Sequence, residues 1–174
     1  FANVHRPPEN CQHTAHGLGS LSKWLGTNHW DAIHFNWGIW DTHYLYKTNN
    51  SLVKDESQIT PDDVKIRHTP DQYRQNLVKL VEILKKTRAK LIWASTTPIL
   101  SRTGDRFQDI ARYNEVAASV MKENDIAIDD LYSPAFTNAA QWQSPDKVHF
   151  GAVGSQKLGA QVAQCIREAL KKSE

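Results

Sequence analysis

Near the end of the chain, Ser144-Pro145-Asp146-Lys147-Val148-His149-Phe150-Gly151 sets a carboxylate three positions before an imidazole, directly ahead of a helical stretch. Acyl transfer uses such a pair. The histidine takes a proton from a hydroxyl and later returns it, and a carboxylate at its far ring nitrogen fixes the tautomer and stabilises the imidazolium. A turn that holds residues i and i+3 together supplies that contact locally. The spacing alone also describes an ordinary turn with a surface histidine, so its weight depends on what else the chain offers.

Two further stretches bear on it. Ile33-His34-Phe35-Asn36-Trp37-Gly38-Ile39-Trp40-Asp41 reads as a buried strand ending in a glycine turn with polar and indole donors at its mouth. Donors at such a mouth serve the oxygen that gains charge in a tetrahedral intermediate, where loss of one typically costs about 3 kcal/mol. The plain alternative is a core strand with a tight turn. Arg6-Pro7-Pro8-Glu9-Asn10-Cys11-Gln12-His13-Thr14-Ala15-His16-Gly17-Leu18 reads as a polar loop entering a helix, whose first amides can serve an anion. His13 and His16 invite a metal reading, but no third ligand stands with them in a motif, so they are taken as polar loop residues and no metal is expected.

The elements that must position these groups follow from periodicity. Strands are expected at Ala2–His5, Asp31–Asn36, Lys90–Ser95 and Ile126–Asp129, each short and apolar. Helices are expected at Gly17–Leu25, Pro70–Thr87, about Phe107–Asn124 and from about Gly154 onward, the last with an apolar stripe of Leu158, Val162, Cys165, Ile166 and Leu170 and with Lys171 and Lys172 at its C-terminal end. Alternating strands and helices of this length predict an α/β three-layer sandwich with a parallel sheet, with function gathered beyond the C-terminal strand ends. The polar stretch Thr42–Thr69 exceeds ordinary connection length and is expected to be a functional or mobile loop.

Composition narrows the class. The 174 residues, 40% hydrophobic, suit one domain spanning 1–174, and 21 basic against 19 acidic residues leave a net charge of +2 with no like-charge block to engage nucleic acid. No apolar run approaches the roughly 20 residues that cross a bilayer, and no membrane partner is expected. Cys11 and Cys165 are too few for a disulfide framework and are expected to be free thiols.

Taken in this order, the three stretches resemble the SGNH hydrolases, also called GDSL esterases and lipases, over nearly the whole chain. Four blocks in that family supply a Ser in Gly-Asp-Ser, a Gly, an Asn in Gly-x-Asn-Asp, and Asp-x-x-His. The last block matches at Asp146 and His149. The wider context of Arg6–Cys11, Trp30-Asp31, His34-Phe35-Asn36 and Leu91–Pro98 resembles a branch that includes carbohydrate acetylesterases. The resemblance implies a flavodoxin-like sandwich and cofactor-free hydrolysis of small acyl esters, acetyl groups on carbohydrate foremost, with His149 as general base and acid and Asp146 as its orienter. It also suggests secretion or the periplasm.

The departures shape the remaining expectations. Gln12 aligns with the second-block glycine and offers its backbone N–H, while Trp40 stands where the third block has Asn, leaving Asn36, the Trp40 indole and the Gly38 N–H as oxyanion donors. Trp37, Trp40, His43 and Tyr44 are expected to shape the acyl pocket or stack on sugar. No Gly-Asp-Ser occurs in the sequence. The resemblance places that block after a first strand lying between the next two, so this chain is expected to lack that strand and to be inactive alone, its nucleophile arriving on an N-terminal segment or companion chain. Ser20, Ser22, Ser95 and Ser155 are poorer nucleophiles; Ser95 is the best placed, but Ala94-Ser95-Thr96-Thr97-Pro98 is no nucleophile elbow. The alternative is a non-catalytic relative that binds glycan through the same cleft. A nucleotide or metal module is disfavoured by the lack of a glycine-rich phosphate loop.

Overall fold

The computed structural model describes residues 2–54, 60–101 and 109–171. In chain order the elements are α1 (Thr14–Leu25), β1 (Ala32–Phe35), β2 (Tyr44–Tyr46), β3 (Val64–Ile66), α2 (Pro70–Lys85), β4 (Lys90–Ala94), α3 (Asp109–Glu123), β5 (Ala127–Asp129), α4 (Tyr132–Thr137), α5 (Ala139–Trp142) and α6 (Ala152–Lys171). The predicted Phe107 start of the third helix and Lys172 at the end of the last lie outside the described residues.

Two helices owe their form to dense apolar stripes. In α2, Tyr73, Leu77, Leu80, Val81 and Leu84 are buried on one face. Its start is set by Thr69, whose hydroxyl accepts from Gln72 N while the Gln72 side chain accepts from Thr69 N, with Pro70 next. In α3, Ile110, Tyr113, Ala117, Val120 and Met121 are buried in the same way. Their stripes meet each other and the Phe35/Trp93 side of the sheet in one core. Helix α1 begins three residues earlier than expected, because the His13 ring accepts from His16 N at 3.2 Å. It also reaches Trp37 closely: a Cβ at Gly17 would stand 2.8 Å from the indole.

The three-stranded sheet is parallel, in the order β1-β4-β5, with Ala32 opposite Lys90 and Ile92 opposite Ala127. Helix α6 packs on the opposite face to α2 and α3, where the Gln161 amide donates to Asp129 Oδ1 at 2.7 Å and His34 Nε2 meets Asp129 Oδ2 at 3.0 Å. The layers are those of an α/β/α sandwich. Only Gly154 and Leu158 of α6 are buried; Val162, Cys165, Ile166 and Leu170 stay half-exposed. Among the described residues, the edge of β1 away from β4 has no strand beside it.

Two expectations are corrected. Residues Ala2–His5 form no strand, and Val4 is 88% exposed; apolar alternation yields a strand only where another strand accepts its hydrogen bonds, and none adjoins this segment. The Thr42–Thr69 stretch is no plain loop: β2 and β3 pair antiparallel within it, Tyr44 opposite Ile66.

One buried carboxylate joins the start of α1 to the β1 turn and the entry of α2. Asp41 is fully buried; its oxygens accept from Thr14 N at 3.1 Å, Thr14 Oγ1 at 2.5 Å and His68 Nδ1 at 2.6 Å. Asn76 of α2 in turn donates to Thr14 Oγ1 at 2.9 Å. Asp41→Asn keeps the shape but replaces one acceptor oxygen with a donor, leaving a buried partner unpaired. The expected cost is about 1–3 kcal/mol, read as a lowered urea midpoint with an unchanged denaturant slope.

Candidate active site

The Asp146–His149 pair forms within a single tight turn. Asp146 Oδ1 accepts from the N–H groups of Val148 and His149, both at 2.9 Å, and Oδ2 lies 2.7 Å from His149 Nδ1. Lys147 takes φ 57° to make the turn, which is closed by Ser144 N donating to His149 O at 2.8 Å. A carboxylate only accepts, so Nδ1 donates in this contact and Nε2 is left on the far side of the ring. The turn is docked on the segment after β4: Leu100 N donates to Lys147 O at 3.0 Å and the Gln143 amide to Pro98 O at 2.8 Å. The His149 side chain is 79% exposed, so the ring is open to an incoming group.

The mouth of β1 lies at the same C-terminal end of the sheet. Gly38 is obligatory there, since a Cβ would fall 2.2 Å from Thr96 Oγ1. Trp37 is buried, its indole donating to Cys11 O at 3.1 Å and its carbonyl accepting from Tyr73 OH at 2.6 Å. A cleft of about 350 Å³ opens beside this turn, lined by His34, Asn36, Ile39, Ser95, Thr96 and Leu131 among others.

Two of the expected oxyanion donors are committed elsewhere. The Asn36 amide donates both hydrogens, to Ala94 O at 2.7 Å and Thr96 Oγ1 at 2.9 Å, and so ties β1 to β4. Gln12, at φ 49°, donates its N–H to Asn10 Oδ1 at 2.9 Å. The Gln12 contact is a local Asn10 turn, whereas the Asn36 contacts reach across to the neighbouring strand and the segment that follows it. Gly38 keeps its place at the mouth, its carbonyl accepting from Asp41 N at 3.0 Å. Trp40 lies over His43, with ring centroids 5.2 Å apart. Ser95 is a structural cap: its hydroxyl donates to Asp130 Oδ1 at 2.9 Å and accepts from Tyr132 N at 2.8 Å.

Neither cysteine is bonded to the other, and burial raises the pKa of both thiols. Among the described residues no group of three or more His, Cys, Asp or Glu side chains could hold a metal. The His13 ring lies 5.2 Å from that of His68, and its pKa is lowered, first by burial and then by Arg67. Arg67 and His68 escaped the sequence reading because their neighbours are distant in the chain; the capping box at Thr69 was the only local sign that this junction is fixed.

The Asp146 carboxyl is held down to about 2, chiefly by its hydrogen bond to His149 and then by the two backbone N–H groups. A depressed carboxylate contributes where it is ionised in both states, above about 3.8, and that contribution is lost as pH falls through about 2. A carbon-detected NMR titration should show the Asp146 midpoint near 2 in the parent protein. In His149→Ala it should move up toward the ordinary carboxylate range.

No protein-family model and no curated protein matches the chain. Solved structures do resemble it. A GDSL-like lipase from Bacteroides thetaiotaomicron superposes with a TM-score of 0.66 at 19% identity, over 91% of this chain and 72% of that one. A lipase/acylhydrolase from Enterococcus faecalis gives 0.64 at 20% identity, over 92% and 72%. A variant of an acetyl-xylooligosaccharide esterase from Geobacillus gives 0.64 at 15% identity, over 92% and 68%. The chain has the flavodoxin-like fold of the SGNH/GDSL hydrolases.

Proposed function

We propose that this chain is the base-bearing part of a serine ester hydrolase that removes small acyl groups, acetyl foremost, from carbohydrate. The observation that carries the reading is the 2.7 Å contact between Asp146 and His149, made by an exposed turn at the C-terminal end of a parallel sheet. His149 Nε2 takes the proton of the attacking serine and returns it to the leaving alcohol, while Asp146 holds the ring and offsets its charge. The Gly38 N–H faces the oxyanion, joined by the Gln12 N–H once Asn10 releases it. Asp146→Asn in the complete enzyme is expected to lower kcat by about 10⁴-fold, the effect of fixing the wrong tautomer.

The serine arrives from a segment this sequence does not contain, seated along the free edge of β1. The unpaired edge and the half-exposed stripe of α6 support that placement. The test is the intact mass of every polypeptide in the purified sample, before and after a fluorophosphonate that labels activated serines. A second polypeptide that takes the label is the expected result. A chain that is alone and unlabelled rejects catalysis for this form. That outcome favours the second reading, a glycan-binding relative, which draws support from the internal commitment of Gln12 N–H and the Asn36 amide.

A further inference from the structure

Arg67 is a half-buried cation whose Nε lacks a hydrogen-bond acceptor. Arg67 follows β3, its backbone held by donation to His43 O at 2.8 Å, and its guanidinium lies 5.9 Å from the centroid of the Trp40 ring. Its Nε is buried without a hydrogen-bond acceptor, and among the described residues it enters no ion pair. The carboxylate that acts on it electrostatically is Asp41, whose two oxygens already serve Thr14 and His68. A half-buried guanidinium of this kind presents a planar fork of donors matched to a carboxylate.

We propose that Arg67 is a carboxylate subsite at the mouth of β1, so that the sugar half of the substrate bears a uronate-type acid group. The inference rests on the ester hydrolase reading only in assigning this sugar to the substrate. Position favours it: Arg67 stacks on Trp40, two residues after Gly38, and Gly38 abuts Thr96 on the segment where the Asp146–His149 turn docks. Charge favours a monoanion. Burial and then Arg67 itself lower the pKa of His13, so the permanent cation of this group is the Arg67 guanidinium. A dianionic phosphate monoester calls for more positive charge than that. The Trp40 indole beside the guanidinium supplies the apolar surface on which a sugar ring packs.

The experiment titrates the purified protein, observed by amide NMR, with methyl glucuronoside, methyl glucoside and inorganic phosphate. The two glycosides differ only in a carboxylate against a hydroxymethyl group. The expected result is that glucuronoside binds at least about tenfold more tightly than glucoside, with shifts centred on Arg67 and Trp40. Arg67→Gln abolishes the preference, and Arg67→Lys, which keeps the charge, retains part of it. Equal binding of the two glycosides, binding of neither, tighter binding of phosphate, or an undiminished preference in Arg67→Gln overturns the proposal. Should Arg67→Gln misfold, the parent comparison and Arg67→Lys still decide. Binding is read without turnover, so a glucuronoside preference in a protein that never labels or hydrolyses ester rejects the hydrolase reading and leaves the subsite standing. Esterase activity with no such preference does the reverse.

Discussion

A carboxylate with no access to water must be surrounded by donors, and Asp41 sets where three segments go. Its partners come from the first residue of α1 and from the residue just before the α2 cap, while Asp41 itself closes the turn after β1. The turn after β1 packs Trp37 into the core, but Asp41 itself and the free N–H groups of both helix entries must also be satisfied. The charge resolves these demands together. Because Asp41 lies one residue after Trp40 and accepts from the residue after Arg67, the same anchor sets the spacing between indole and guanidinium.

Legibility in the sequence tracked the range of the interaction concerned. The α2 and α3 stripes were plain because helical burial repeats within a few residues, and the Asp146–His149 contact because a three-residue turn makes it. The β2–β3 pair was hidden: each strand has three residues, too few for alternation to show, and the chain between them is polar. Ala2–His5 misled for the complementary reason, since its residue types suit a strand but nothing adjoins it. Asn36 and Gln12 were found as polar groups near the sheet end, yet the commitment of each was decided by Thr96 and Asn10, which residue type alone does not reveal.

The two faces of the sheet are held by different means. Toward α2 and α3 the contact is a close-packed core in which Leu77, Leu80, Leu84, Val120 and Met121 are fully buried. Toward α6 it includes a part-buried polar chain, His34 to Asp129 to Gln161, of which Asp129 alone is buried, flanked by apolar residues that remain partly wet. Directional hydrogen bonds fix the register of α6 where apolar area is incomplete. The Asp146–His149 turn precedes α6 directly, so the helix's register also sets the height of the imidazole above the strand ends.

The local closure of that turn changes what assembling a reactive centre requires. When three side chains are brought together by three separate segments, each alignment must be bought with the order of its own backbone. Here residues 146 and 149 are pre-aligned by bonds within their own loop. A hydroxyl that completed such a centre would need to find only one ring nitrogen, so the meeting of three bodies would reduce to a docking of two.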